Sequence, residues 1–155
     1  MTRATNPEFF DLLAGNYRRL LGEAPPFLKG RTGPWPDAPR WLYEDAPACV
    51  LAHNTAKDPR FIYANRSAQN LFEYSWNEIV GLPSRLSAEE PNREERQRLL
   101  DAVARDGFAT GYSGLRISKS GRRFRIEDGL LWELRDARGN LHGVAATFDR
   151  CHFVE

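Results

Sequence analysis

Apolar residues recur along this chain at two periods, one helical and one strand-like, and the places where the period changes divide it into elements. In "NPEFFDLLAGNYRRLLGEA", Phe9, Leu13, Tyr17, Leu20 and Leu21 share one helical face. Asn6 suits the cap and Pro7 the first helical position, where no N–H is needed, so an amphipathic helix is predicted despite Gly15. The prolines and glycines of "APPFLKGRTGPWPDAPRW" exclude a long helix or a central strand and predict an extended strap. Phe27, Trp35 and Trp41 are expected to pin that strap to apolar surface. Polyproline docking through Pro36-Asp37-Ala38-Pro39 is the lesser reading.

From Ala46 the period shortens. "ACVLAH" and "RFIYAN" read as two strands around the turn-rich "NTAKDP". Asn65 can cap a helix whose Ala68, Leu71 and Phe72 share a face. Ser75 and Glu78 form a capping box for a second short helix that Gly81 and Pro83 stop. Asn92 and Glu95 repeat the device before a longer helix with Arg96, Leu99, Leu100 and Val103 on one stripe, ended by Gly107. Strands "TGYSGLRIS", "RRFRIEDGLLWEL" and "LHGVAATFD" follow, separated by the hairpin turns "KSG" and "DARGN". In the middle strand Phe124, Ile126, Leu130 and Trp132 alternate toward one side, and Arg123, Arg125 and Glu127 toward the other. The order contains no βαβ alternation. The predicted class is α+β, a five-stranded antiparallel sheet with helices on one face, preceded by the amphipathic helix.

Length and composition narrow this further. At 155 residues and 41% hydrophobic, the chain has material for one core rather than two. The expected division is 1–40 as helix and strap, 41–150 as the domain and 151–155 as a tail. With 22 basic and 21 acidic residues the net charge is +1, so no overall field draws the chain to nucleic acid or anionic lipid. Arg122, Arg123 and Arg125 are read as solvated strand-end charges. Cys49 and Cys151 lack disulfide-scaffold or zinc spacing, which fits a reducing, cytoplasmic setting. Neither a signal peptide nor a membrane-spanning run is read.

Two motifs, "FIYANRSAQNLFE" (61–73) and "LPSRLSAE" (82–89), together with the element order, resemble the MEKHLA domain, a PAS-related family. The resemblance runs from about Trp41 to Phe148. Such domains occur in small bacterial proteins and at the C-terminus of plant homeodomain-leucine zipper transcription factors. The resemblance implies a cupped sheet whose helices enclose a small-molecule pocket or a protein-contact surface. Nothing here resembles an output domain, so a sensory module on its own is expected.

In flavin-binding PAS domains a cysteine follows the second short helix and adds to the flavin. Here Ser84 of Gly81-Leu82-Pro83-Ser84-Arg85 stands in its place, and a hydroxyl does not form that adduct at neutral pH. Haem is not expected either, because the long helix carries no histidine. His53, His142 and His152 are read as surface or hydrogen-bonding residues and no metal site is expected. No catalytic motif is present. Glu89, Glu90, Glu94 and Glu95 are read as acidic residues favouring a helix start, so no catalytic residue is assigned.

The resemblance suggests that Asn65, Ser84 and Arg85 present polar groups to a small ligand, with Phe72, Phe124, Ile126 and Trp132 as walls. A second reading makes Arg85 a structural clasp through Glu73, Glu89 or backbone carbonyls. Two function classes follow: a ligand-binding sensory module, and a constitutive interaction module. In the latter, Phe9, Phe10, Leu13, Tyr17 and Leu20 form a homodimer or partner contact. The same helix can instead fold back on its own sheet.

Overall fold

The structure, a computed structural model, describes residues 3–88 and 90–154, with the backbone alone for 3, 90–93 and 96. Among these, six strands form one antiparallel sheet: β1 (Cys49–His53), β2 (Phe61–Ala64), β3 (Phe108–Ile117), β4 (Arg123–Arg135), β5 (Leu141–Phe148) and β6 (Arg150–Val154). The order is β2-β1-β5-β4-β3, with β6 also on β4. Strand β3 runs along one edge of the long β4; β5 and β6 follow each other along the opposite edge, facing residues 130–135 and 123–127. The segment expected as a tail is therefore a strand, registered by pairs such as Phe124 with Phe153.

The three helices between β2 and β3 lie on one face of the sheet, as expected, and the N-terminal helix folds back with a second short helix over the other. Helix α1 (Pro7–Leu21) and α2 (Ala38–Glu44) pack on the side presented by Val50, Ala52, Trp132, Leu134 and Ala145. Helices α3 (Arg66–Phe72), α4 (Trp76–Ile79) and α5 (Glu90–Asp106) pack on the side presented by Leu51, Phe61, Phe124, Ile126, Leu131 and Phe148. The cause is alternation: in β1, neighbours such as Val50 and Leu51 face opposite ways and both are buried. A sheet apolar on both sides needs two covers.

Helix α1 supplies the second cover. Asn6 Oδ1 accepts from the backbone N–H groups of Glu8 and Phe9 at 2.7 and 3.3 Å, and Gly22 ends the helix at φ 73°. Phe9, Phe10, Leu13 and Tyr17 are buried in the chain's own core, and Leu20 is half-buried against it. This corrects the reading of these five residues as a dimer contact, since the core has already covered the stripe. A homodimer would need another surface.

The strap is not extended. It makes short 3-10 turns at Pro26–Leu28 and Trp35–Asp37, then α2, because Pro36 and Pro39 fall in first turns where a missing N–H costs nothing. Phe27 is buried and Trp41 half-buried, as anchors should be, but Trp35 is 47% exposed and holds to Phe10 and the Arg31 guanidinium. Helix α5 begins at Glu90, so Asn92 lies inside it and not at its cap.

One irregularity in β4 decides which side chains face which cover. Tyr112 pairs with Gly129 and Gly114 with Ile126, so β4 carries one residue more than β3 between these points. Asp128 takes it up at φ 55°. Before this bulge the even positions Phe124 and Ile126 face α3–α5; after it, the even positions Trp132 and Leu134 face α1.

Gly143 is needed for close approach: a Cβ there would overlap the His53 carbonyl oxygen across the β1–β5 ladder. Gly143→Ala is expected to destabilise by about 1–3 kcal/mol, through forced separation of the two strands. Chemical denaturation would check this, and unchanged stability would refute the close packing.

Candidate functional site

The site is built by the segment after β2. Ser75 Oγ accepts from Glu78 N–H at 3.3 Å and Glu78 Oε1 accepts from Ser75 N–H at 2.9 Å, closing a capping box that starts α4. Gly81 at φ 94° then turns the chain, and Ser84–Ser87 form a 3-10 turn over the sheet. The Phe61 N–H donates to the Leu82 carbonyl and the Ser84 N–H to the Pro59 carbonyl, at 2.9 and 2.8 Å, fixing that turn against the edge strand. Two ties hold the helices to the β3–β4 turn. Glu73 accepts from Ser118 Oγ and Ser120 N–H at 3.1 and 2.9 Å, and Glu78 pairs with Lys119. Hydrogen bonding from Ser120 holds the Glu73 carboxyl below its usual range; that from Lys119 takes Glu78 down to about 2.

Under this turn lies a cavity of about 70 Å³ between the sheet and α3–α5. Its wall is largely apolar, with Leu51, Phe61, Phe72, Leu99, Ile126 and Phe148 prominent. Ser84, Ser87 and Arg116 are the polar members with the deepest burial, at 2, 3 and 8% exposed. Ser87 Oγ donates to the Ser84 carbonyl at 2.7 Å. The Arg116 guanidinium lies over the Tyr112 ring at 5.2 Å from its centre, and Nη1 donates to the Leu115 carbonyl at 2.8 Å.

The expected site residues divide. Phe72, Ile126 and Ser84 line the cavity; Phe124 packs edge-on against Phe72 in the same cluster without lining it. Trp132 lies on the α1 side of the sheet, moved there by the bulge in β4. Asn65 faces no cavity: its amide is wholly buried and joins β1, α2 and α3 by four hydrogen bonds. Arg85 points to solvent and pairs with Asp58 at 3.1 Å. The clasp is thus the arrangement present, but through Asp58; Glu73 is engaged by the two serines, and Glu89 lies outside the described residues. Both partners are about half exposed, so Arg85→Ala is expected to change stability by less than about 1 kcal/mol. A loss of several kcal/mol in thermal denaturation would contradict this.

Burial also separates the two cysteines. Cys49, under the helices, has its thiol pushed up to about 12 by burial, while Cys151 is exposed on β6. An alkylating reagent at neutral pH is expected to label Cys151 alone in the folded protein and both after unfolding. Labelling of Cys49 in native protein would mean that the cavity face opens.

A flavin does not fit this site. Its fused rings require a pocket of some 300 Å³ or more, and Ser84 offers a hydroxyl where the adduct needs a thiol. Among the described residues no three His, Cys, Asp or Glu side chains come together as a metal site. No described helix is long and apolar enough to cross a membrane.

The model of the MEKHLA domain matches residues 7–153. "Homeobox-leucine zipper protein HOX9" from both rice subspecies, Oryza sativa indica and japonica, is 25% identical over 114 residues. That match covers 74% of this chain and 13% of the rice protein, so the chain spans a small part of that relative. Among solved structures, a PAS domain from Colwellia psychrerythraea superposes with a TM-score of 0.61 at 15% identity, covering 74% of this chain and 92% of that one. An RNA-binding light-oxygen-voltage receptor gives 0.63 at 19% identity, covering 81% and 35%. These likenesses show the PAS fold.

Proposed function

The chain belongs to the MEKHLA domain family, and from that premise we propose that it is a ligand-binding sensory module. A small molecule is held between the sheet and α3–α5, and its presence is passed through the sheet to α1. One observation carries the reading: a cavity lined by large apolar side chains, two buried serines and a buried guanidinium, set within a cluster of buried apolar residues. Interiors normally fill to crystal density, and a void with buried polar groups lowers stability unless something occupies it.

The route to α1 follows from strand alternation. Leu51 and Leu131 touch the cavity, while their chain neighbours Val50 and Trp132 pack on the α1 side. Trp132 Nε1 donates to the Leu13 carbonyl of α1 at 3.0 Å. A molecule that spreads the cavity wall favours the sheet positions that accommodate it, and α1 rests on the reverse of the same strands.

Native mass spectrometry of freshly purified protein, beside the cavity-filling variant Ala146→Leu, tests this reading. The expected result is a reproducible extra mass in the wild type that disappears on denaturation and in the filled variant. A bare mass in both, after purification without dialysis, would go against a resident ligand.

A further inference from the structure

Arg116 gives the cavity a chemical preference. Its side chain is 8% exposed, lies on the inward face of β3 and lines the cavity. Among the described residues no carboxylate pairs with it: the ion pairs of Glu133, Glu127 and Glu78 go to Arg135, His152 and Lys119. Among the described residues its guanidinium makes one hydrogen bond, to the Leu115 carbonyl, and lies over the face of Tyr112. A guanidinium has five N–H donors and stays charged, so most of its hydrogen-bonding capacity remains unused in a place poor in water. Buried charges are ordinarily paired, because an unpaired one loses its hydration without compensation.

Resting on the ligand-binding reading above, we infer that the cavity takes a small monocarboxylate, its carboxylate on the Arg116 guanidinium and its short apolar body among Leu51, Phe61, Phe72 and Leu99. The planar fork matches a carboxylate with two parallel hydrogen bonds. Phosphate is the poorer fit, because one guanidinium leaves the second charge of a dianion uncompensated against a largely apolar wall, and Ser87 Oγ already donates to a carbonyl. The size of the cavity, about 70 Å³, limits the body to a few carbons.

The test compares butyrate with butyramide, which has the same shape without the charge, and with inorganic phosphate. Binding is followed by calorimetry and by the Arg116 side-chain Nε–H resonance of nitrogen-labelled protein. Butyrate is expected to bind and move that resonance. Butyramide should bind about tenfold or more weakly, and Arg116→Met should lose the preference for the acid. Arg116→Lys, which keeps the charge but not the fork, serves if the methionine variant does not fold, and should bind butyrate more weakly than wild type. The comparison of acid with amide in the wild type needs neither variant. Equal binding of acid and amide overturns the carboxylate inference and leaves the cavity as a ligand site. Phosphate bound in preference to butyrate overturns it as well. Failure of all three probes to bind overturns this inference, and a bare native mass in addition removes the ligand-binding reading beneath it.

Discussion

Asn65→Ala is expected to lower stability by about 3–5 kcal/mol while leaving the cavity chemistry untouched. The Asn65 Oδ1 atom accepts from the Val50 and Ala68 N–H groups at 3.0 and 3.2 Å. Its Nδ2 donates to the carbonyls of Ala48 and Leu42 at 2.8 and 3.2 Å. Alanine removes the cap of α3, worth about 1 kcal/mol, and strips partners from buried groups at about 1–3 kcal/mol each. Asn65→Asp separates these contributions. The aspartate keeps the acceptor for the cap but sets a carboxylate against two carbonyls, so it too should destabilise by about 2 kcal/mol or more. Urea denaturation of both variants gives the answer, and a stable Asn65→Asp would reduce this residue to an ordinary cap.

Trp132→Ala should cost about 3–5 kcal/mol by the loss of a large, fully buried side chain. The indole stacks on Phe27 at 5.8 Å, meets Tyr17 edge-on at 5.3 Å and donates to the Leu13 carbonyl. These contacts join the sheet to α1 and to the turn that follows it. The variant is therefore expected to lose protection of α1 amides in hydrogen exchange, and its melting temperature should fall by about 10 °C. Binding of a molecule in the cavity should survive in the fraction that remains folded, since Trp132 faces the other way. If Trp132→Ala abolished binding with α1 still protected, the residue would be a cavity wall after all.

What could be read from sequence depended on how local its cause was. The Asn6-Pro7 start of α1, the Ser75–Glu78 box and the hairpin turns act over a few residues, and each stands where its residue types placed it. Unbroken alternation through "RIEDGLLW" puts Trp132 on the wrong face, although a glycine after an aspartate inside a strand marks a bulge. Asn65 caps α3 as its residue type predicts, but its amide also answers backbone groups on α2 and at and just before the start of β1, 15 to 23 residues away in sequence.

Arg116 is hidden in the sequence for a sharper reason. Around "GLRIS" the apolar Leu115 and Ile117 point away from the cavity, to the other side of the sheet, and are only half-buried, while the arginine between them is buried. Alternation there reads backwards. A charged side chain held inward beside half-exposed aliphatics contradicts the binary pattern, and such local contradictions are where functional residues are expected.

Methyl resonances of the cavity wall test the central claim most directly. With leucine and isoleucine methyls labelled, small acids, amides and alcohols are added in turn up to about 10 mM, a weak-binding ceiling. Leu51, Leu99, Ile126 and Leu131 are expected to shift together and saturate with one of these classes, and the Trp132 indole N–H, on the far side of the sheet, to shift with them. Cavity methyls that stay fixed throughout the series, or shifts confined to the surface, would contradict a ligand-binding sensory module.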